Sequence, residues 1–343
     1  MALTPMPRPT LADIAARLGI SKMSVSRGLR GEKRVSEALR QRICQTAEEM
    51  GYRPDPEIAK LMTHMRHARK KVAPTPLAFI WAEKDVERVQ KSSWSQELVR
   101  GAYARADELG YRLEELHLKA RGMTARRLSS ILEARGIPGF ILSPLISRSR
   151  GHVSMAWEKF SSVVIGLGYA RPALHRVHHH HFLGMMTALR RLKKQGFRRI
   201  GFYGGSTVNE RMYRAWSASF LAHHPLPLAQ ASTLLNLTST PSREDFHAWL
   251  KKVRPDVVIE ASHQLIDWFP QDRSIRHVTL SWRADMPAVA GIDQQADVLG
   301  AAAVDLLVAQ HQQNERGLPK HPKMVLTEGV WRDARPAEDQ RTV

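Results

Sequence analysis

The chain has 343 residues, which is long enough for two or three domains with sizeable cores. It carries 52 lysines and arginines against 33 aspartates and glutamates, and this formal net charge of +19 predicts a polyanionic partner. The single cysteine, Cys44, excludes an intramolecular disulfide framework, so we interpret it as a packing residue in a reducing compartment. No apolar stretch reaches the length of a membrane span and no signal peptide is evident, so we expect a cytoplasmic protein without membrane contact.

Residues 10–53 have the pattern of three short helices. Thr10 is a suitable N-cap for the first helix, whose apolar side chains recur on one face: Leu11, Ile14, Ala15 and Leu18. Gly19 can adopt the left-handed conformation that a tight turn needs, and Ser21 can cap a second helix. A third amphipathic helix follows and stops at Gly51. This order is typical of a helix-turn-helix, in which the second helix enters the major groove of DNA.

The pattern changes after a proline-rich, basic segment at residues 54–75. Short apolar runs then alternate with amphipathic stretches. We predict strands at 77–81, 139–142, 163–165, 200–203, 257–259 and 278–280, and helices at 97–109, 126–134, 183–194, 212–222 and 296–313. This alternation predicts doubly wound, parallel α/β sheets over residues 76–332, followed by a loose polar tail at 333–343.

Three pieces of the N-terminal segment carry a family resemblance: DIAARLGISKMSVSRGLRG, RVSEALR and GYRP. In this order and spacing they resemble the head piece of the LacI/GalR (lactose-repressor) family of bacterial transcription regulators. The pieces GFRRIGFYGG and GIDQQAD resemble the family's body more weakly. The resemblance implies a helix-turn-helix head on a periplasmic-binding-protein-like body of two lobes, acting as a homodimeric repressor on operator DNA. It places one lobe near 76–170 plus 292–322, and the other near 171–291 plus 323–332.

The resemblance also assigns candidate DNA contacts. Lys22, Met23 and Arg27 occupy base-reading positions, and an arginine can bond both acceptors of guanine; phosphate contact or solvent exposure is the alternative. Three serines are predicted to bind phosphates, namely Ser21, Ser24 and Ser26. Leu61, preceded by Lys60, stands where the family has a leucine that wedges into the minor groove. Its flanking residues depart from the family pattern, and packing of Leu61 against the body is the alternative.

The effector cleft departs most from the family pattern. Polar pairs that bind sugars in the family are replaced by His180-His181 and Ser262-His263, and a further acidic pair by Ser281-Trp282. The candidate effector residues are therefore Trp94, His180, Arg211, His263 and Trp282. Hydrogen-bond donors stand in place of carboxylates, which favours an acidic or phosphorylated small-molecule effector over a neutral hexose. The alternative is a cleft that binds no ligand.

Catalytic and metal sites find little support in the sequence. Histidines recur at 175 and 178–181, but neighbours on a strand point to opposite faces, so at most two of the last four share a face. Neither a zinc motif, nor a dinucleotide or phosphate loop, nor a nucleophile elbow is present. We therefore predict no enzyme, metal or cofactor. The alternative function is a cytoplasmic solute-binding or sugar-metabolising α/β protein with an incidental helical head.

Overall fold

The computed structural model describes residues 9–29, 31, 35–52, 73–83, 85–145, 151–261, 263–269 and 275–335. It comprises a three-helix head and a body built on two six-stranded sheets. The resemblance implies a hinge helix and basic linker over residues 54–75; residues 54–72 of this segment, with Lys60 and Leu61, lie outside the described residues, as does the end of the predicted tail. Within the described ranges, no helix has the length and apolar character needed to span a membrane.

The head consists of α1 (Leu11–Leu18), α2 (Lys22–Leu29) and α3 (Glu37–Glu49). Thr10 and Asp13 cap α1 reciprocally: the Asp13 carboxylate accepts the Thr10 N–H at 2.7 Å, and Thr10 Oγ1 accepts the Asp13 N–H at 3.4 Å. Gly19 ends α1 with φ 66°. The three helices share a small core of Ile14, Ala15, Val25, Ile43 and Ala47. The predicted helix-turn-helix is thereby confirmed.

Lobe 1 is built on the first sheet, whose strand order is β13-β7-β5-β3-β1-β2. Its strands are β1 (Thr75–Trp81), β2 (Tyr111–His117), β3 (Gly139–Leu142), β5 (Ser161–Ile165), β7 (His175–His179) and β13 (Met324–Thr327). The short strands β4 (Gly151–His152) and β6 (Tyr169–Arg171) pair separately. The helices between these strands are α4 (Val86–Gln90), α5 (Ser93–Glu108), α6 (Ala125–Ala134) and α12 (Ala296–Gln312). The helices α5 and α12 cover one face of the sheet and α6 the other.

Lobe 2 is built on the second sheet, ordered β14-β12-β11-β10-β8-β9. Its strands are β8 (Ile200–Gly205), β9 (Leu235–Thr238), β10 (Val257–Glu260), β11 (Arg276–Trp282), β12 (Ala290–Asp293) and β14 (Val330–Arg332). Its helices are α7 (His181–Lys194), α8 (Ser206–Arg211), α9 (Ala215–His223), α10 (Leu228–Thr233) and α11 (Arg243–Val253). All described pairs in both sheets are parallel except β12–β14. The predicted α/β fold with two lobes is confirmed.

The observed boundary between the lobes differs from the predicted one. The strands β7 and β13 belong to lobe 1, because His175 pairs with Val163 on β5 and Leu326 pairs with His178. The chain consequently crosses between the lobes three times, after His179, after Asp293 and after Thr327. The helix predicted over 212–222 was also wrong in extent. The helix there, α9, begins only at Ala215, because Tyr213 and Arg214 adopt positive φ and separate it from α8.

Two glycines allow the close packing of α5 against α12. A Cβ on Gly101 would lie 2.0 Å from the Asp297 carbonyl oxygen, and one on Gly300 would lie 2.0 Å from the Leu98 carbonyl oxygen. Both contacts are with backbone atoms, which cannot move aside as a flexible side chain could. A larger residue would therefore force the helices apart.

Candidate nucleic-acid interface and inter-lobe cleft

The candidate nucleic-acid interface is the first turn of α2. Ser21 caps this helix, because its Oγ accepts the Ser24 N–H at 3.0 Å, and the two hydroxyl oxygens lie 2.9 Å apart. Lys22 is exposed, and Met23 is 60% exposed despite its apolar side chain. No acidic residue occupies this first turn. A positive side chain beside a helix N-terminus suits a polyanion.

The opposite face of α2 packs against the other head helices. Val25 is fully buried, and a Cβ added to Gly28 would lie 2.5 Å from Ile43 Cδ1. Two further predicted contacts, Ser26 and Arg27, are half-buried beside this packed face. The packing thus presents Lys22 and Met23 outward on a helix that cannot rotate freely.

Ligands of open α/β sheets bind beyond the carboxyl ends of the strands, so this edge of lobe 1 is the candidate side of an inter-lobe cleft. Glu83 follows β1 and is buried, and Ser143 follows β3. The Tyr169 hydroxyl donates to the Ser143 carbonyl oxygen at 2.9 Å. Burial raises the pKa of Tyr169, and the nearby Glu83 carboxylate raises it further. Lobe 1 therefore contributes one carboxylate and a neutral phenol.

Lobe 2 contributes Arg211, the last residue of α8. Burial lowers the pKa of the Arg211 guanidinium, and the Glu83 carboxylate acts in the opposite direction. These two residues belong to different lobes, so their attraction acts across the cleft. Glu83 was not among the site residues predicted from the sequence. Its position directly after the apolar run of β1 was the available signal, since ligands bind at such strand ends.

The remaining predicted effector residues lie on several elements of the two lobes. His180 caps α7, and its Nδ1 accepts the Leu183 N–H at 3.2 Å. Trp94 packs against the core of lobe 1. The Arg332 guanidinium lies 5.7 Å from the centre of the Trp282 ring and bonds Asp293 at 2.9 Å. His263 begins a 3₁₀ turn in lobe 2, and its side chain lies outside the described part.

The histidine cluster consists of His178, His179 and His181 and lies at the first crossing between the lobes. The His178 and His181 rings stack with centroids 5.8 Å apart, and the His179 ring meets His181 edge-on at 5.2 Å. The three rings meet because His181 lies beyond the strand, in α7. Burial lowers the pKa of all three, that of His179 to about 4. Among the described residues, no group of His, Cys, Asp or Glu could hold a metal ion.

The structure thus combines a helix-turn-helix head with a body of two lobes, between which the described chain crosses three times. Residues 10–55 match the family model described as bacterial regulatory proteins, lacI family. The head of this chain is therefore similar to the model of this family.

Relatives of this chain are themselves named as helix-turn-helix transcriptional regulators. GntR of Pseudomonas aeruginosa is 30% identical over 154 residues, which cover 41% of this chain and 44% of that protein. IpsA of Corynebacterium glutamicum is 53% identical over 55 residues, which cover 16% of this chain and 15% of that protein. The chain thus spans less than half the length of these curated relatives.

Solved structures share the fold over nearly the whole chain. The complex of the transcriptional regulator CelR with cellobiose has a TM-score of 0.54 at 18% identity, and the match covers 94% of this chain and 98% of that one. The lac repressor dimer bound to operator and the anti-inducer ONPF has a TM-score of 0.51 at 16% identity, and this match covers 95% and 98%. At these identities the comparison establishes architecture alone.

Proposed function

We propose that this chain is a sequence-specific DNA-binding transcription regulator, a repressor, which acts in the cytoplasm. The observation that carries the proposal is the first turn of α2, where Lys22 and Met23 are exposed on a helix whose opposite face is packed. Lys22 supplies charge for the DNA, and Met23 supplies apolar contact for a base edge such as the thymine methyl.

The DNA partner is a double-stranded operator read by a homodimer. One recognition helix covers only a half-site, so two heads require a near-palindromic site. Leu61 would insert at the centre of that site and bend the duplex. A flexible pyrimidine–purine step at the centre would lower the energy of this deformation.

The small-molecule effector binds in the cleft and favours one arrangement of the lobes over another. Differential affinity for the two arrangements is sufficient to change operator affinity. Arg211 suits an anionic group on the ligand, but the Glu83 carboxylate already attracts this guanidinium. An acid that also carries hydroxyl or ammonium donors can satisfy both residues. It therefore fits this cleft better than a simple anion or a neutral hexose does.

The test is selection of bound duplexes from a random library by the full chain, followed by titration of the selected site at several salt concentrations. A regulator enriches a near-palindrome, and its affinity falls steeply with salt. Lys22→Ala should reduce the salt dependence, whereas Lys252→Ala, an exposed lysine on α11, should not. Absence of any enriched site together with metabolite binding would favour the solute-binding alternative.

A further inference from the structure

The head contacts lobe 1 directly, through the loop between α12 and β13. The Arg316 Nη2 atom donates to the Gly31 carbonyl oxygen at 3.4 Å. The Asn314 side chain hydrogen-bonds the Cys44 sulfur on α3, and this bond lowers the pKa of the thiol. We define the head-docking surface as Asn314 and Arg316 on the loop together with Gly31, Glu37, Arg40 and Cys44 on the head. It joins segments that are far apart in the sequence.

The fit at Gly31 is close. A Cβ at this position would lie 2.5 Å from Arg316 Nη2 and 2.6 Å from Asn314 Oδ1. Gly31 has φ 66°, a conformation that glycine adopts without strain. The head therefore presents bare backbone to two side chains of the loop.

Glu37 is the counter-charge that two arginines of this surface share. Its carboxylate lies 2.7 Å from the Arg40 guanidinium and also attracts Arg316. Burial and the repulsion from Arg40 lower the pKa of Arg316, and Glu37 opposes this shift. A half-buried guanidinium needs such a counter-charge, and the head supplies it.

The loop is attached firmly to the sheet of lobe 1. Ser161 Oγ on β5 donates to the Glu315 carbonyl oxygen at 2.7 Å, and the Gly317 N–H donates to the Phe160 carbonyl oxygen at 3.0 Å. His175 on β7 accepts the Lys323 N–H at Nδ1, at 2.8 Å, so its Nε2–H is directed to the Glu315 carboxylate at 3.0 Å. The position of Arg316 thus follows the position of β5 and β7.

Docking leaves the candidate DNA-reading residues uncovered. The head-docking surface uses α3 and the turn before it, whereas Ser21, Lys22 and Met23 at the start of α2 are exposed. A docked head can present its recognition helix outward.

We propose that the head docks on lobe 1 through this surface, so that the loop anchored by His175 sets the orientation of α2 relative to the effector lobes. The contact is separate from the covalent connection through residues 53–72. It gives lobe 1 a direct means of positioning the head. The proposal does not depend on the proposed DNA-binding function, because it concerns a contact within the chain.

The single cysteine of the chain makes the docking measurable. The rate of Cys44 alkylation by iodoacetamide is followed across pH in the full-length protein, and its high-pH plateau reports the accessibility of the thiolate. Burial is the largest cause that raises the pKa of Cys44, so undocking should raise the plateau and lower the midpoint. The plateau is the decisive readout, because loss of Arg316 by itself removes a charge that lowers this pKa.

Arg316→Ala should raise the plateau rate at least threefold, and His175→Ala, which removes the anchor without altering the head, should raise it in the same direction. Lys320→Ala, an exposed cation on the same loop, is the matched control and should leave the rate unchanged. Circular dichroism of each variant verifies that the head is folded. A wild-type plateau in folded Arg316→Ala would refute docking, and a wild-type plateau in folded His175→Ala would refute anchoring by that residue. Loss of DNA binding in every variant and the wild type would count against the proposed function only.

Discussion

The His181 ring lies stacked on the His178 ring, with centroids 5.8 Å apart, where the chain passes from β7 of lobe 1 into α7 of lobe 2. The Trp216 ring also meets the His181 ring edge-on, with ring centroids 5.0 Å apart. The positive charges of Arg176 and Arg211 act on this cluster from the strand and from α8. Protonation of these imidazoles would place additional charge in a buried junction between the lobes.

The body should therefore lose stability in mild acid. The folded state lowers the pKa of His179 from 6.5 to about 4, so its neutral form is favoured by folding. This stabilisation is complete above pH 6.5 and is lost as the pH falls towards 4. For His179 alone the complete loss, reached below pH 4, amounts to roughly 3 kcal/mol, of which roughly 2 kcal/mol falls between pH 7 and pH 5. Denaturant titrations at pH 7 and pH 5 measure it, and His179→Asn should flatten the dependence while His321→Gln, on the surface, should not. Equal pH dependence of the unfolding free energy in both variants would contradict the assignment of this loss to His179.

Arg27→Ala should cost roughly 1–3 kcal/mol on the preferred operator and relax the preference at one base pair. The physical reason is loss of a paired hydrogen bond from the guanidinium to guanine. Anisotropy titrations against the selected site and its single-base variants measure both effects. The control is Arg17→Ala, which removes a head arginine whose exposed side chain pairs with Glu49 at 3.4 Å. Equal loss on all duplexes would show that Arg27 contacts only phosphate.

Gly300→Ala should destabilise lobe 1 by about 1–3 kcal/mol or more, because the added methyl meets the Leu98 carbonyl oxygen. Thermal or denaturant unfolding of the full chain measures the change. Gly205→Ala is the matched control, since its added Cβ would approach no atom closer than 3.6 Å. Similar stability of the two variants would mean that α5 and α12 separate more easily than their packing indicates.

Arg211→Ala should abolish the effect of an acidic effector on DNA binding and leave ligand-free operator affinity nearly unchanged. Arg211 lies in the cleft, whereas the neighbouring Arg214 is exposed and pairs with Glu210 at 3.5 Å, so Arg214→Ala serves as control. Calorimetry with a panel of sugar acids, amino acids and neutral monosaccharides measures binding. If a neutral sugar binds tightly and still does so in Arg211→Ala, the prediction of an acidic effector bound by Arg211 is wrong.

The sequence alone determined the head and most of the elements of the body. The capping of α1, the turn at Gly19 and the inward face of α2 depend on residues within a few positions of one another. A short stretch of sequence is therefore enough to predict them. The same holds for the apolar runs that form β1, β3 and β10. The missed strands, such as β2 and β9, are only partly buried and lack that contrast.

Only the tertiary structure decided which sheet each strand joins and which side chains meet. The strand β7 reads HRVHH, which has little apolar character, and it lies in lobe 1 because its backbone pairs with β5 and β13. The attraction between Glu83 and Arg211 joins residues 128 positions apart, and the contact of Arg316 with Gly31 joins residues 285 positions apart. Hydrogen bonds and charge attraction act over ångströms in space, so no local pattern encodes these contacts.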